Sequence, residues 1–206
     1  MKVDAHQDMW LYQSSQTSSY PQINEVAQAS QSEFSKPQLA YGDLMKCSEI
    51  PIAHTPPGGY GASFPPLILS NCTEPLVEGA PDLRGIWKVI TATRGGETVA
   101  PDDRLMSYTE RIEQCGNRIV DCGGGTIADA LADGTEENGV HDVSVFDYTT
   151  PIHVVASYED EVFVLRPVGM PGIQVTRRLN EHGQMIWTRP DMGGVVVTLE
   201  RVSEPQ

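Results

Sequence analysis

The sequence predicts an all-β fold, an antiparallel up-and-down β-barrel of about eight to ten strands behind a long, largely irregular N-terminal extension. Three observations carry this. From Leu83 onward, short apolar–polar alternations replace the irregular texture of the preceding chain. Turn residues punctuate them every 8–12 positions or so, the spacing of antiparallel β structure. The last stretch, 184–202, reads as strand, tight Gly193-Gly194 turn and strand, and answers an earlier Gly85-Ile86-Trp87.

The elements follow in order. Residues 1–35 are rich in Gln and Ser and bury too little apolar surface to offset chain entropy, so disorder is expected, with a weak amphipathic helix around 23–29. Residues 36–82 carry Pro51, Pro56-Pro57-Gly58-Gly59, Pro65-Pro66, Pro75 and Pro81, which dictate extended, irregular chain. Tyr60, Phe64, Leu67, Ile68 and Leu69 within it need a surface to pack on. Either the segment lies against the following domain, across an opening, or it is a plain linker. Residues 83–202 form the barrel. Strands are expected at 84–92, 105–114, 118–122, 126–130, 140–146, 152–158, 162–166, 173–179, 184–188 and 195–202. Between them stand Gly116-Asn117, Asp133-Gly134, Asn138-Gly139, Glu159-Asp160, His182-Gly183 and Gly193-Gly194, several of which supply the positive φ that tight hairpins require. No interval resembles a crossover helix, so sequence neighbours pair in space and closure removes the edges.

The 206 residues carry a net charge of −14, which opposes binding of duplex nucleic acid or an anionic membrane and favours solubility. No apolar run reaches the roughly 18 residues of a membrane span. The first residues lack a signal peptide's apolar core, so a cytoplasmic location is the expectation. Cys47, Cys72, Cys115 and Cys122 show no zinc spacing. Cys115 and Cys122 flank the Gly116-Asn117 turn, where cross-strand proximity is open; a reducing compartment would keep them thiols. Asn71-Cys72-Thr73 matches a glycosylation sequon but has no secretory context.

Leu83-Arg84-Gly85-Ile86-Trp87-Lys88-Val89 resembles the opening G-x-W strand of the calycins, the superfamily of lipocalins and fatty-acid-binding proteins. The stretch from Arg177 to Trp187, followed by Gly194-Val195-Val196-Val197-Thr198-Leu199, resembles the terminal hairpins of fatty-acid-binding proteins. The resemblance covers 83–202. It implies that Gly85 and Trp87 close one barrel end, with Arg201 as the basic residue packed over the indole. It implies a cavity for a small apolar or amphipathic ligand. The chain departs from the family at the inward R-x-Y of the last strand, where Leu199 and Arg201 stand, so carboxylate-clamping chemistry does not carry over. The short 93–104 segment has no room for a two-helix lid, so any lid comes from the N-terminal extension. The Gly-rich opening motif of the related nitrobindins is missing, haem is not implied, and no cofactor is expected.

Alternation assigns faces. Trp87, Val89 and Thr91 are expected inward, as are Val195, Val197, Leu199 and Arg201. Met185, Trp187 and Arg189 share a face, as do Ile173, Val175 and Arg177, and Tyr108, Glu110 and Ile112. The candidate ligand wall is Tyr108, Val175, Arg177, Met185, Trp187, Arg189, Val197 and Leu199. A guanidinium in a lumen needs a counter-charge. Arg177 and Arg189 can pair with Glu110, bind a ligand carboxylate, enolate or phenolate, or sit at a rim in water. Tyr108 can donate a hydrogen bond or act as an acid, or be plain wall. Tyr108, Glu110 and Arg177 are the catalytic candidates.

Other motifs carry less. The 129–137 acidic stretch fails as a calcium loop, because Leu131 and Val140 stand where oxygen ligands are needed. His141 and His153 lie on adjacent strands without a third ligand, so no metal is expected. Gly123-Gly124-Gly125 reads as a bend or bulge and not as a phosphate loop. Three functions remain: a binding cup for a small apolar or amphipathic molecule, a cofactor-free cyclase or isomerase in the same cavity, and an interaction module in which residues 1–35 recruit a partner. Convergence of the polar candidates inside a cavity favours the enzyme.

Overall fold

A computed structural model describes residues 45–144 and 147–203 of the chain. The disorder and helix expected within residues 1–35 lie outside the described residues. The strands are β1 (Gly85–Arg94), β2 (Glu97–Thr98), β3 (Thr109–Cys115), β4 (Arg118–Gly123), β5 (Thr126–Leu131), β6 (Val140–Val143), β7 (Pro151–Glu159), β8 (Val162–Pro167), β9 (Val175–Leu179), β10 (Met185–Arg189) and β11 (Val195–Ser203). No α-helix occurs among the described residues.

The strands form one antiparallel sheet in the order β5-β4-β3-β1-β11-β10-β9-β8-β7-β6, with β2 a short appendage of β1. The sheet rolls into a nearly closed barrel of ten strands. Its seam lies between β5 and β6, where Leu131 N–H donates to the Asn138 carbonyl (3.0 Å) and Gly134 N–H to that of Ala156 (2.9 Å). The first and last long strands meet at β1–β11, with Trp87 opposite Arg201 and Val89 opposite Leu199.

Trp87 is completely buried, and its indole N–H donates to the Leu83 carbonyl at 2.7 Å. Arg201 lies over the ring at 4.8 Å and donates to the Asp82 carbonyl (2.6 Å). This cap closes one end. Leu83, Ile112, Ile119, Phe163, Met185 and Leu199 fill that half of the barrel.

Two local features depart from simple alternation. The register of β1 against β11 slips between Val89 and Thr91, so a bulge inserts Ile90. One extra residue inverts the faces beyond it. Ala92 is therefore buried and Thr91, expected inward, is exposed. The strand expected at 105–114 is divided. Asp103 accepts from Leu105 N–H (2.9 Å) and caps a 3-10 turn, Arg104–Ser107, which tucks Leu105 into the core before β3 begins. At the other edge, the strand expected at 140–146 ends at Val143, and 145–146 lie outside the described residues.

The segment before the barrel is held as a strap against the outside of β3, β4 and β5, which are consequently buried on both faces. Extended proline-rich chain exposes backbone groups that a sheet cannot satisfy, and barrel side chains satisfy them instead. Arg118, fully buried, donates to the carbonyls of Cys47 (2.7 Å), Ile50 (2.5 Å) and Pro51 (2.9 Å) while chelated by Asp129 (2.8 and 2.7 Å). Asp129 also accepts from Ala53 N–H, Asp142 from Thr55 N–H, and Glu113 from both Ile68 and Leu69 N–H. Leu69, Val120, Cys122 and Ile127 form a second apolar core beneath. A disulfide joins Cys72 of the strap to Cys115 of β3, and Cys47 and Cys122 are buried free thiols. Cys115 thus bonds across to the strap, and Cys122 faces Arg111 rather than Cys115 in the β3–β4 register. Such a bridge persists in oxidising compartments, at variance with the reducing one expected for these cysteines.

Arg118→Met removes the cation that pairs buried Asp129 and strands three carbonyls. It is expected to cost about 3–5 kcal/mol in urea denaturation and to open residues 45–82 to limited proteolysis. An unchanged midpoint would show that the strap is not held by this clamp.

Candidate functional site

The capped half of the barrel is packed; the opposite half encloses a cavity of about 1060 Å³. Its walls are mostly apolar, with Ala128, Val154, Leu165 and Val175 facing inward from β5, β7, β8 and β9. Tyr60 and Phe64 of the strap contribute one side of the mouth. The rim includes Arg104, Glu136, His153 and Met170, all exposed.

The inner end is polar. Tyr108, just before β3, Asp121 on β4, Arg177 on β9 and Trp187 on β10 line it. Glu110 of β3 lies behind them, fully buried. Arg177 donates to Glu110 through Nε (3.2 Å) and Nη2 (2.8 Å), and the same Nη2 lies 2.5 Å from Asp121 Oδ2. Glu110 Oε2 also accepts from the Tyr108 hydroxyl at 3.1 Å. The Tyr108 and Trp187 rings stack at 5.6 Å with planes 10° apart, and the guanidinium carbon sits 5.9 Å from the Trp187 ring centre. Three atoms here, Arg177 Nη1, Asp121 Oδ1 and Trp187 Nε1, are enclosed without a hydrogen-bond partner.

Local sequence explains the placement. Alternation along β3 sends Tyr108, Glu110 and Ile112 inward and Arg111 and Glu113 out to the strap. Gly123 ends β4 where any Cβ would run into the Tyr108 hydroxyl, so the glycine makes room for the phenol.

Burial and charge set the protonation. Burial pushes the Asp121 carboxyl up to about 7, Arg177 opposes this, and Glu110 adds to it. Burial, then the charges of Glu110 and Asp121, hold the Tyr108 phenol well above its usual range. Burial would depress Arg177, but Asp121 and Glu110 more than reverse that, and it stays a cation. The arrangement can therefore hold or pass one proton at Asp121 near neutrality beside a fixed positive charge.

Of the residues expected in the ligand wall, Tyr108, Val175, Arg177, Trp187 and Arg189 line the cavity. Met185, Val197 and Leu199 do not: all three are fully buried in the packed core, because the large side chains near Trp87 leave no space at that level. Arg177 meets Glu110, one of the partners weighed for it. Glu110 itself is a supporting residue behind the wall. Sequence reasoning missed Asp121; an acid in the middle of the otherwise apolar Ile119-Val120-Asp121-Cys122 run was the available signal. It also missed Ala128, and it expected Tyr60 and Phe64 to pack on the barrel without naming them as cavity wall. His141 and His153 do approach, with ring centres at 4.6 Å. Among the described residues, the metal-like cluster is Cys72, Glu74 and Cys115, whose two sulfurs form the disulfide. No described helix is long and apolar enough to cross a membrane.

No protein-family model matches the chain, and no curated protein matches it.

The Asp121 shift has a stability consequence. Its pKa is higher in the folded protein than in the unfolded chain, so the native state holds the proton more tightly. From this group alone, stability is greatest at acid pH and declines as pH rises from about 4 to about 7, by at most about 1.4 kcal/mol per unit. Asp121→Asn removes that decline. Denaturant midpoints from pH 5 to 8 are expected to fall less steeply in the variant than in the wild type; parallel curves would exclude the shift.

Proposed function

We propose that this protein binds a small, largely apolar or amphipathic molecule in its barrel cavity, as a calycin-like cup. The observation that carries the reading is the cavity itself: about 1060 Å³, apolar walls, and one concentrated set of polar groups at the inner end. Ligand sites commonly combine an apolar lining with a few convergent polar groups that fix orientation. The meander topology and the Trp87–Arg201 cap support the likeness to calycins at the level of architecture.

A second reading, cofactor-free isomerisation or cyclisation, draws on a specific observation: Tyr108, Glu110, Asp121 and Arg177 converge within hydrogen-bond reach. In that reading Asp121 takes a proton from a bound substrate and returns it elsewhere, and Arg177 stabilises the charge that develops between. A molecule retained from the protein's own host, followed by mass spectrometry, separates the two. A binding protein returns it unchanged; an enzyme converts it, and Asp121→Asn binds but does not convert.

The binding reading is tested with the neutral fluorophore N-phenyl-1-naphthylamine. Saturable, single-site binding is expected in the wild type. Ala128→Trp/Val154→Trp places two indoles in the cavity and is expected to weaken binding at least tenfold with native circular dichroism retained. No binding by the wild type, or equal binding by the filled variant, overturns the proposal.

A further inference from the structure

The cavity's inner end contains an arginine, which at first sight marks a site for a carboxylate. The charge balance points the other way. Arg177 is one cation held by two carboxylates, Glu110 and Asp121, and the Tyr108 phenol beside them is spoken for by Glu110. With both acids ionised the cluster is one unit negative; with Asp121 protonated it is neutral. In neither state does it offer an uncompensated positive charge. A carboxylate brought here would lose its water and meet Asp121 at the cavity wall.

The atoms left unpartnered define what the site can take instead. Arg177 Nη1 and Trp187 Nε1 are donors, and Asp121 Oδ1 accepts when ionised. All three belong to side chains at least nine-tenths buried that line the cavity. A group that both accepts and donates satisfies this set without bringing charge: a hydroxyl, an enol or a primary or secondary amide. Arg104 and Glu136 stand at the rim of the same cavity, both exposed.

We propose that the inner end of the cavity selects an uncharged hydroxyl-, enol- or amide-bearing ligand and excludes carboxylates, with Asp121 as the residue that sets this choice. This rests on the binding reading above and specifies the polar end of its ligand. Two consequences follow from the geometry. Arg177 acts mainly as the counter-charge that allows two acids to be buried together. Where both acids are ionised, removing one takes the cluster from one unit negative to neutral, which relieves the repulsion of a carboxylate and leaves Arg177 fewer acceptors to satisfy.

The test compares 2-naphthylmethanol with 2-naphthoate, two probes of one apolar skeleton, at pH 8 by competition against N-phenyl-1-naphthylamine. The wild type is expected to bind the alcohol at least tenfold more tightly than the carboxylate. Asp121→Asn is expected to shrink that ratio by tenfold or more, chiefly by improving binding of the carboxylate. Glu110→Gln makes the same charge change from behind the wall and carries the same expectation, which covers a failure of Asp121→Asn to fold. Equal or tighter wild-type binding of 2-naphthoate, or a ratio untouched by both substitutions, overturns the selectivity while leaving the cavity reading intact. If the fluorophore binds no protein, the cavity reading itself has failed.

Discussion

One guanidinium ties the two sides of this barrel together. Arg177 sits on β9, and its partners Glu110 and Asp121 sit on β3 and β4, on the far side of the lumen in the sheet order. The contact therefore crosses the interior rather than running along a strand pair. It stands at the level where packed core gives way to open cavity. Burying three charges carries a desolvation cost of several kcal/mol per ion that pairing only partly offsets. A barrel needing only a core would fill this level with Leu or Phe, as it does around Trp87. Keeping the cluster makes sense where polar groups must stay oriented at the end of an apolar cavity.

That orientation depends on structure outside the barrel. Glu110 and Asp121 are on neighbouring strands whose outer faces are covered by the strap. Arg118, Asp129 and Glu113 bind strap backbone, and the Cys72–Cys115 bond fastens the strap to the strand that carries Glu110. Burial of most of β3 and β4 on both sides suppresses local opening there. The strap then contributes Tyr60 and Phe64 to the mouth. It is thus a support for the polar end and a wall of the entrance at once.

Much of the architecture was legible in the sequence because barrel strands with one buried face alternate. All ten long strands fall where alternation and turn residues place them, within a few residues at their ends. The same rule identified Tyr108, Arg177 and Trp187. It failed where its premise fails. The Arg118–Gly123 strand is buried on both faces, shows no alternation, and so concealed Asp121. The Ile90 bulge inverted Thr91 without any glycine to mark it. Depth along the lumen was also hidden. Alternation states which way Met185, Val197 and Leu199 point but not whether space remains at their level, and that depends on side-chain volumes summed across the barrel.

The pairing of one cation with two acids at the inner end also bears on which chemistry the site can support. A ligand carbonyl placed against Arg177 and Trp187 would meet donors, while its neighbouring C–H or O–H would meet Asp121. That is a push–pull arrangement for proton transfer, and the Gly123–Tyr108 contact and the Tyr108–Trp187 stack keep its walls fixed. The same features serve a pure binding site, since a rigid donor–acceptor pair discriminates among neutral ligands that differ by one hydroxyl. The two proposed readings, binding and catalysis, differ only in whether a proton would pass between ligand and Asp121 while the ligand is held. The physical determinant is therefore the acidity of the ligand's own group relative to a carboxyl poised near 7. Under the proposed readings, an alcohol far less acidic than that would be held unchanged, whereas an activated methylene or an enol, much closer to it, would exchange its proton with Asp121.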